Sequence, residues 1–248
     1  MSPTLRVISS RATAALLPPL LEHCCVPLGE PFDYLSMGGV DALARIRASV
    51  PASEPSEGGF DIAVLERSAL EALADESLII RSTLTDLALS HTAIATRHGE
   101  PQPAVATIAE LLATLRTVRS IGYSTGPSGR ELLRFLERSG LLPELVGRLI
   151  QAPPGVPVAR LIAEGKVSIG FQQLSELRGF PGVDVLGPLP PGAEIDTLFG
   201  VAVCRASIIA DRAARILARM VAAETLPIRR RFGFDDPPSH FPAGNSHS

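Results

Sequence analysis

The chain has 248 residues, of which 46% are hydrophobic and 20% are charged, and its formal net charge is -3 at pH 7. This composition indicates a folded globular protein with enough apolar material for one large domain or two lobes of ordinary size. A slightly acidic chain lacks the basic surface that phosphate neutralisation needs, which excludes a general nucleic-acid binder. The one basic block, Arg229-Arg230-Arg231, is expected at a solvated helix end.

Cysteine and histidine usage gives no sign of a disulfide framework or a metal site. The three cysteines, Cys24, Cys25 and Cys204, cannot all pair, and no His or Cys recurs at zinc-ligand spacing. We therefore expect buried free thiols, which fit a reducing compartment, and no metal or cofactor.

The apolar stretch over residues 12–21 superficially resembles a secretion signal. Pro18-Pro19 interrupts it, and the following Glu22-His23-Cys24-Cys25 is no small-residue cleavage site. No segment reaches the roughly 18 apolar residues that a membrane span needs. The sequence as written predicts a cytoplasmic protein without membrane insertion, or a periplasmic one if an export signal has been removed.

Strand-like and helical patterns alternate along the chain. The predicted strands cover residues 5–8, 60–65, 92–96, 120–123, 167–171, 183–186 and 198–204. The predicted helices cover residues 12–24, 39–48, 67–74, 107–114, 129–139, 143–149, 156–164 and 207–224. This alternation predicts an α/β protein with mainly parallel sheets and flanking helices. Residues 51–59 are expected to form a surface loop, and residues 235–248 a frayed tail.

Three polar stretches each follow a strand-like run and precede a helical one: Ser9-Ser10, residues 123–129 and residues 170–177. Because the first turn of a helix has unpaired N–H groups and the positive end of the helix dipole, such stretches favour a bound anion. They predict a carboxylate or oxyanion pocket. The alternative for Ser9 and Ser10 is a helix N-cap, which needs only one of them.

The second and third stretches supply further candidate ligand contacts. Ser124, Thr125 and Ser128 could present hydroxyls to a carboxylate, or could cap the following helix. Arg130-Glu131 stands where a nucleotide-binding loop has Lys followed by Ser or Thr, which argues against a nucleotide. Of the paired amides, one is expected to contact the ligand, while the other could equally bind backbone; these are Gln172 and Gln173.

His91 could pair with a substrate carboxylate or transfer a proton near neutral pH, although a lone histidine is more often structural or exposed. It is the first catalytic candidate. Tyr123 is the second candidate. Glu66 and Arg11 are further possible contacts at the edge of the pocket.

The chain resembles the type II periplasmic-binding-protein family, in its molybdate-binding-like branch. The resemblance is carried by the order of short motifs along nearly the whole chain: Ser9-Ser10, Gly38-Gly39-Val40, residues 60–65, residues 86–90, residues 120–124, Pro127-Ser128-Gly129, residues 171–177 and residues 185–190. The Phe171-Gln172-Gln173 run and its neighbours are most similar to the aconitate isomerase group, whose members shift a double bond in a small polycarboxylate.

This resemblance implies two lobes, residues 1–87 with 192–248 and residues 88–191, with a ligand cleft between them. It adds Gly38, Gly39 and Gly129 to the ligand-binding candidates. The implied function is the binding of a di- or tricarboxylate, followed by a proton-shift isomerisation. We separately expect the protein to be a monomer. The alternatives are a solute-binding protein of an ABC importer that takes molybdate-like oxyanions or carboxylates, and a ligand sensor.

Overall fold

The computed structural model describes residues 3–49 and 59–238. Residues 51–58 of the expected loop and residues 239–248 of the expected tail lie outside this range. The chain forms two compact units. Of the described residues, unit 1 comprises 3–49, 59–89 and 198–238, and unit 2 comprises 90–197.

The described chain alternates strands and helices, which confirms the predicted α/β class. The strands are β1 (Leu5–Ser10), β2 (Phe32–Met37), β3 (Ile62–Glu66), β4 (Thr85–Arg97), β5 (Ile121–Tyr123), β6 (Leu149–Gln151), β7 (Ile169–Gln173), β8 (Val183–Pro188), β9 (Asp196–Val203) and β10 (Phe234–Asp235). The helices are α1 (Leu17–Cys25), α2 (Gly39–Ala48), α3 (Arg67–Asp75), α4 (Ile108–Thr117), α5 (Pro127–Arg138), α6 (Leu142–Leu145), α7 (Val158–Ala163), α8 (Leu174–Leu177), α9 (Ala210–Met220) and α10 (Leu226–Arg231). Strands β4 and β9 each continue from one unit into the other.

Unit 1 is a sheet with helices on both faces. Its strand order is β2-β1-β3-β9-β4, with β10 paired to β4. β1 lies parallel to β2 and β3, and β9 lies antiparallel to β3. Leu5 and Val7 of β1 pack into the apolar cluster that contains α1 and α9, whereas Ile8 packs into the cluster of α2 and α3. Because both faces are covered, the inner strands are apolar runs.

Unit 2 has the same layered construction. Its strands follow the order β4-β7-β5-β6, and β8 pairs with β4. β5 lies parallel to β6 and β7, whereas β4 runs antiparallel to β7 and β8. Leu132 and Phe135 of α5 pack with Phe171 of β7 on one face, and Val158 and Ile162 of α7 cover the other.

Two predicted helices have the wrong bounds, and one strand of the structure was not predicted. The helix predicted over residues 12–24 begins at Leu17, because a 3-10 turn over Arg11–Thr13 comes first. The helix predicted over residues 143–149 ends at Leu145. Leu149, the last residue of the predicted helix, is the first residue of β6. β2 was not predicted, because its central residues are exposed and mix apolar with polar side chains.

The C-terminal region also differs from expectation. Asp235, predicted to lie in a frayed tail, forms β10 with Phe234 and pairs with β4. Arg229, predicted at a solvated helix end, has only 2% of its surface exposed. Its guanidinium donates to the carbonyl of Leu87 and lies 3.2 Å from Asp236 Oδ1. Burial is tolerated because these partners replace water around the charge.

No helix in the described part of the chain has the length and apolar character needed to cross a membrane.

Candidate functional site

Three serines meet at the carboxyl ends of β1 and β2 in unit 1. The parallel register places Ser9 opposite Ser36, and the two Oγ atoms lie 2.5 Å apart. Ser36 Oγ also lies 3.3 Å from the carbonyl oxygen of Ser10, to which it can donate. The carboxyl ends of parallel strands are where open α/β sheets bind ligands, so this serine group lies at a favourable place.

Ser10 is the member of this group with an unmet hydrogen bond. Its side chain is buried, at 8% exposure, and its Oγ has no hydrogen-bond partner in the structure. It precedes the 3-10 turn but makes no side-chain capping bond to it, so the N-cap alternative does not account for this hydroxyl. A buried hydroxyl without a partner costs free energy, and an added hydrogen-bonding group would remove that cost.

The remaining unit 1 candidates lie on the turns that follow β1 and β2. Gly38 is the N-cap of α2 and Gly39 its first residue. Asp41 lies in the first turn of this helix, and a Cβ added to Gly38 would stand 2.8 Å from Asp41 Oδ2. The chain's own carboxylate therefore already occupies part of this helix end. Arg11 lies half-buried in the 3-10 turn after β1.

The loop before α5 in unit 2 carries a second hydroxyl group. Ser124 and Ser128 lie with their Oγ atoms 2.9 Å apart, and Ser124 Oγ accepts a hydrogen bond from the Gly126 N–H at 3.2 Å. Ser128 is buried, whereas Thr125 is exposed. Ser124 therefore stabilises the loop itself, and the two buried or half-buried hydroxyls are presented together at the N-terminus of a 12-residue helix.

Gly129 has a steric role in this loop. A Cβ built on it would stand 1.8 Å from the carbonyl oxygen of Ser124, which is far inside van der Waals contact. Only glycine lets the first turn of α5 approach the Ser124 backbone this closely.

The paired amides of β7 point to opposite faces of the sheet, as alternation along a strand requires. Gln172 Oε1 accepts from the Ala159 N–H, in the first turn of α7, at 3.2 Å. Gln173 accepts from Ser90 Oγ and donates to Thr197 Oγ1, both at 2.7 Å, and all three residues are buried. Both amides thus have structural partners, and Gln173 joins β4 to β9 within unit 2.

His91 lies on β4, one residue from Ser90, and is paired with Asp196 at the start of β9. The distance from His91 Nδ1 to Asp196 Oδ1 is 2.7 Å. The two side chains keep 24% and 29% of their surface exposed, so the pair is accessible to solutes. A carboxylate on Nδ1 favours the ring form whose Nε2 carries the lone pair, which is the form that accepts a proton.

The other candidates contribute less to the site geometry. Tyr123 is half-buried against the apolar cluster of unit 2. Cys24, Cys25 and Cys204 are buried free thiols, as predicted. Burial raises the pKa of Cys24 and of Cys25 to about 11, and that of Cys204 to about 12. These thiols are therefore poor nucleophiles near neutral pH. In residues 3–49 and 59–238, no three His, Cys, Asp or Glu side chains are grouped to hold a metal ion.

Sequence reasoning missed Ser36 and Asp196. Ser36 lies two residues before Gly38, but the exposed β2 gave no clear strand signal that would have aligned it with Ser9. Asp196 precedes the predicted strand at residues 198–204, and an acidic residue at a strand entry has no distinctive local pattern. Each residue is recognisable as part of the site only from its contact with a residue distant in the sequence, Ser9 for Ser36 and His91 for Asp196.

A family comparison identifies the class of protein. Residues 29–235 match the family described as bacterial extracellular solute-binding protein. This match spans most of the chain, and the chain belongs to that family. The suspected relationship to periplasmic-binding-like proteins is thereby confirmed.

A more specific relative is the aconitate isomerase of a Pseudomonas species. It is 32% identical to this chain over 189 residues, which cover 76% of this chain and 70% of the relative. This agrees with the resemblance to the aconitate isomerase group.

Solved structures share the fold at lower identity. The periplasmic molybdate-binding protein of Azotobacter vinelandii has a TM-score of 0.76 at 17% identity, covering 94% of this chain and 100% of that chain. The substrate-binding domain of a putative molybdenum ABC transporter from Clostridium difficile has a TM-score of 0.73 at 16% identity, covering 96% and 100%. PEB3 of Campylobacter jejuni, solved with L-phospholactate, has a TM-score of 0.71 at 13% identity, covering 94% and 100%.

The expected cytoplasmic location receives no support from these relatives. The family is described as extracellular, and the molybdate-binding relative as periplasmic, which agrees with the periplasmic alternative. The free thiols that suggested a reducing compartment are buried and carry raised pKa values, so they are compatible with either location.

Proposed function

We propose that this protein binds a small di- or tricarboxylate and shifts its carbon–carbon double bond by proton transfer. The observation that carries the proposal is the solvent-accessible His91–Asp196 pair, in a chain 32% identical to an aconitate isomerase.

Two groups of hydroxyls are proposed to bind carboxylates, each within its own unit. In unit 1 the group is Ser9, Ser10 and Ser36 at the carboxyl end of β1. In unit 2 the group is Ser124 and Ser128 at the N-terminus of α5. Hydroxyls and backbone N–H groups are neutral donors suited to a carboxylate, and they bind it without requiring a buried cation. The unpartnered Ser10 hydroxyl supports this assignment most directly.

In the proposed reaction, a base removes a proton from the methylene carbon next to the double bond. The electron pair of that C–H bond delocalises over the three-carbon unit and onto a carboxylate, and the proton returns at the former vinylic carbon. Hydrogen-bond donors around the carboxylate stabilise the charge that develops. We assign His91 as the base, with Tyr123 as the second candidate.

A second function, that of a non-catalytic solute-binding protein, is favoured by the family description and by the fold shared with molybdate-binding proteins. Paired serine hydroxyls can hold a tetrahedral oxyanion as well as a carboxylate. In that case the ligand would be molybdate, tungstate or a carboxylate, and no chemistry would follow. The same relatives favour a location outside the cytoplasm.

The first test is a thermal-shift screen of the purified protein against cis- and trans-aconitate, citrate, tricarballylate, molybdate, tungstate and sulfate. A ligand that binds only the native state raises the unfolding midpoint in proportion to ln(1 + [L]/Kd). We expect stabilisation by the carboxylates, followed by double-bond migration in proton NMR spectra of cis-aconitate incubated with the protein. Stabilisation by molybdate or tungstate alone would overturn the isomerase proposal. Carboxylate binding without turnover would leave the solute-binding function.

A further inference from the structure

Ser10 and the N-terminus of α2 lie on the same face of the unit 1 sheet. Ile8, two residues before Ser10 on β1, packs into the apolar cluster of α2 and α3, and side chains two residues apart on a strand share a face. The parallel register pairs Ser10 with Met37, which packs against the same cluster. Met37 is followed by Gly38, the N-cap of α2. The buried, unpartnered Ser10 hydroxyl is therefore next to the segment that begins this helix.

The same helix end carries a negative charge that belongs to the chain itself. Asp41 is exposed and lies in the first turn of α2. Its Oδ2 is 2.8 Å from the position that a Cβ on Gly38 would occupy, so the carboxylate lies against the N-cap backbone. A carboxylate there offsets the positive end of the helix dipole and repels a second anion that approaches Ser10.

We propose that Asp41 is a specificity-determining residue that limits the negative charge of the ligand group bound at Ser10. A carboxylate brings one negative charge to this position, whereas molybdate, tungstate and sulfate each bring two. Because the repulsion is proportional to the ligand charge, it costs a doubly charged oxyanion about twice the free energy that it costs a carboxylate. This inference rests on the proposed binding of an anion by the unit 1 serine group, and it deepens that proposal by naming the preferred ligand class, a group with a single negative charge.

Unit 1 contains a matched control at the opposite edge of its sheet. Asp211 is also exposed and also lies in the first turn of a helix, α9. The N-terminus of α9 is held at the amino end of β3, because Ser207 Oγ donates to Asp61, the residue before β3, and accepts from the N–H of Ile209, the N-cap of α9. A general effect of losing one acidic charge, or of weakening a helix N-terminus, should therefore be the same for Asp211→Asn as for Asp41→Asn.

The test is a calorimetric titration of the full chain with two tetrahedral oxyanions of the same shape, tungstate with two negative charges and perrhenate with one, and with trans-aconitate. The proteins compared are wild type, Asp41→Asn, Asp41→Glu and Asp211→Asn. At low ionic strength we expect Asp41→Asn to lower the Kd of perrhenate by about twofold and that of tungstate by about fourfold, because the charge that repels them is removed. Added salt should reduce both gains.

The gain for trans-aconitate should be closer to that for perrhenate than to that for tungstate, since one of its carboxylates reaches Ser10 and the others are further away and screened. Asp41→Glu keeps the charge and should retain the wild-type ratio of the tungstate Kd to the perrhenate Kd. Asp211→Asn should also retain it. Melting temperatures without ligand, expected to be alike for Asp41→Asn and Asp211→Asn, show that both variants are folded.

An unchanged tungstate Kd in Asp41→Asn, equal gains for tungstate and perrhenate, or the same gains in Asp211→Asn would overturn the inference. Binding of no anion by any of the four proteins would also overturn it, because the serine group would then hold no anion. The proposed isomerase function fails on a different result, aconitate that binds without isomerising or does not bind at all. In that case the change in the tungstate Kd relative to the perrhenate Kd still decides the role of Asp41.

Discussion

At the scale of single residues, hydroxyl groups carry most of the binding proposal. Ser9, Ser36, Ser124 and Ser128 have hydroxyl partners, whereas the buried Ser10 Oγ has none. Thr96 Oγ1 on β4 is also buried and without a hydrogen-bond partner, but it lies outside the serine group. Substitutions at Ser10 and Thr96 can therefore distinguish the effect of an unpartnered hydroxyl on stability from its effect on ligand binding.

We expect Ser10→Ala to leave the free energy of unfolding of the ligand-free protein unchanged or to raise it by up to about 1 kcal/mol, because an unsatisfied polar group is removed. Binding of the anion that stabilises wild type most in the screen should weaken about tenfold, which is a loss of about 1.4 kcal/mol. Urea unfolding and ligand titration measure the two quantities.

Thr96→Val is the control for this substitution. It should have the same small effect on unfolding and no effect on the ligand Kd. A Ser10→Ala variant that loses more than about 1 kcal/mol of stability without ligand would show that its hydroxyl is already satisfied in the native state.

At the scale of elements, the loop between β5 and α5 depends on close backbone packing. Gly129 allows the helix to start directly over the Ser124 carbonyl, and this approach holds Ser124 and Ser128 within hydrogen-bond distance. The local sequence indicated a helix here, and α5 does form, with Leu132, Phe135 and Leu136 on its buried face. The closeness of the loop to the helix could not be predicted from that pattern, because it depends on where β5 ends against β7.

Gly129→Ala should lower the free energy of unfolding by about 1–3 kcal/mol, since either the loop or the helix must move to admit the methyl group. It should also weaken carboxylate binding by displacing Ser124 and Ser128. Gly147→Ala is the matched control, because nothing lies within 4 Å of the position where its Cβ would be placed. Equal unfolding curves for the two variants, measured by circular dichroism in urea, would contradict the steric role of Gly129.

At the scale of the whole chain, unit 1 is assembled from its two ends. β1 to β3 come from the N-terminal part, and β9, α9, α10 and β10 from the C-terminal part. Arg229 joins these parts, since its guanidinium donates to Leu87 on β4 from a position 142 residues later in the chain. A buried arginine was not expected there, because a run of three arginines is usually solvated.

Arg229→Met should lower the free energy of unfolding by about 1–3 kcal/mol, because the buried Leu87 carbonyl loses a charged donor. Arg230→Met, at the exposed neighbouring position, should change it by no more than about 0.5 kcal/mol. Chemical denaturation of both variants provides the comparison. If Arg229 were solvated, Arg229→Met and Arg230→Met would change the free energy of unfolding by the same small amount, which would contradict the buried role of Arg229.

The sequence by itself determined the α/β class, the helix over residues 39–48, the approximate place of most strands, and the polar residues that follow them. These properties follow from periodicity and turn chemistry within short windows, where each residue responds to its near neighbours. Only the tertiary structure decided which polar groups meet. Ser9 and Ser36 are 27 residues apart, His91 and Asp196 are 105 apart, and Arg229 and Leu87 are 142 apart. Such pairs arise from strand order and register, which are set when distant segments bury their apolar faces together, and no short window of sequence contains that information.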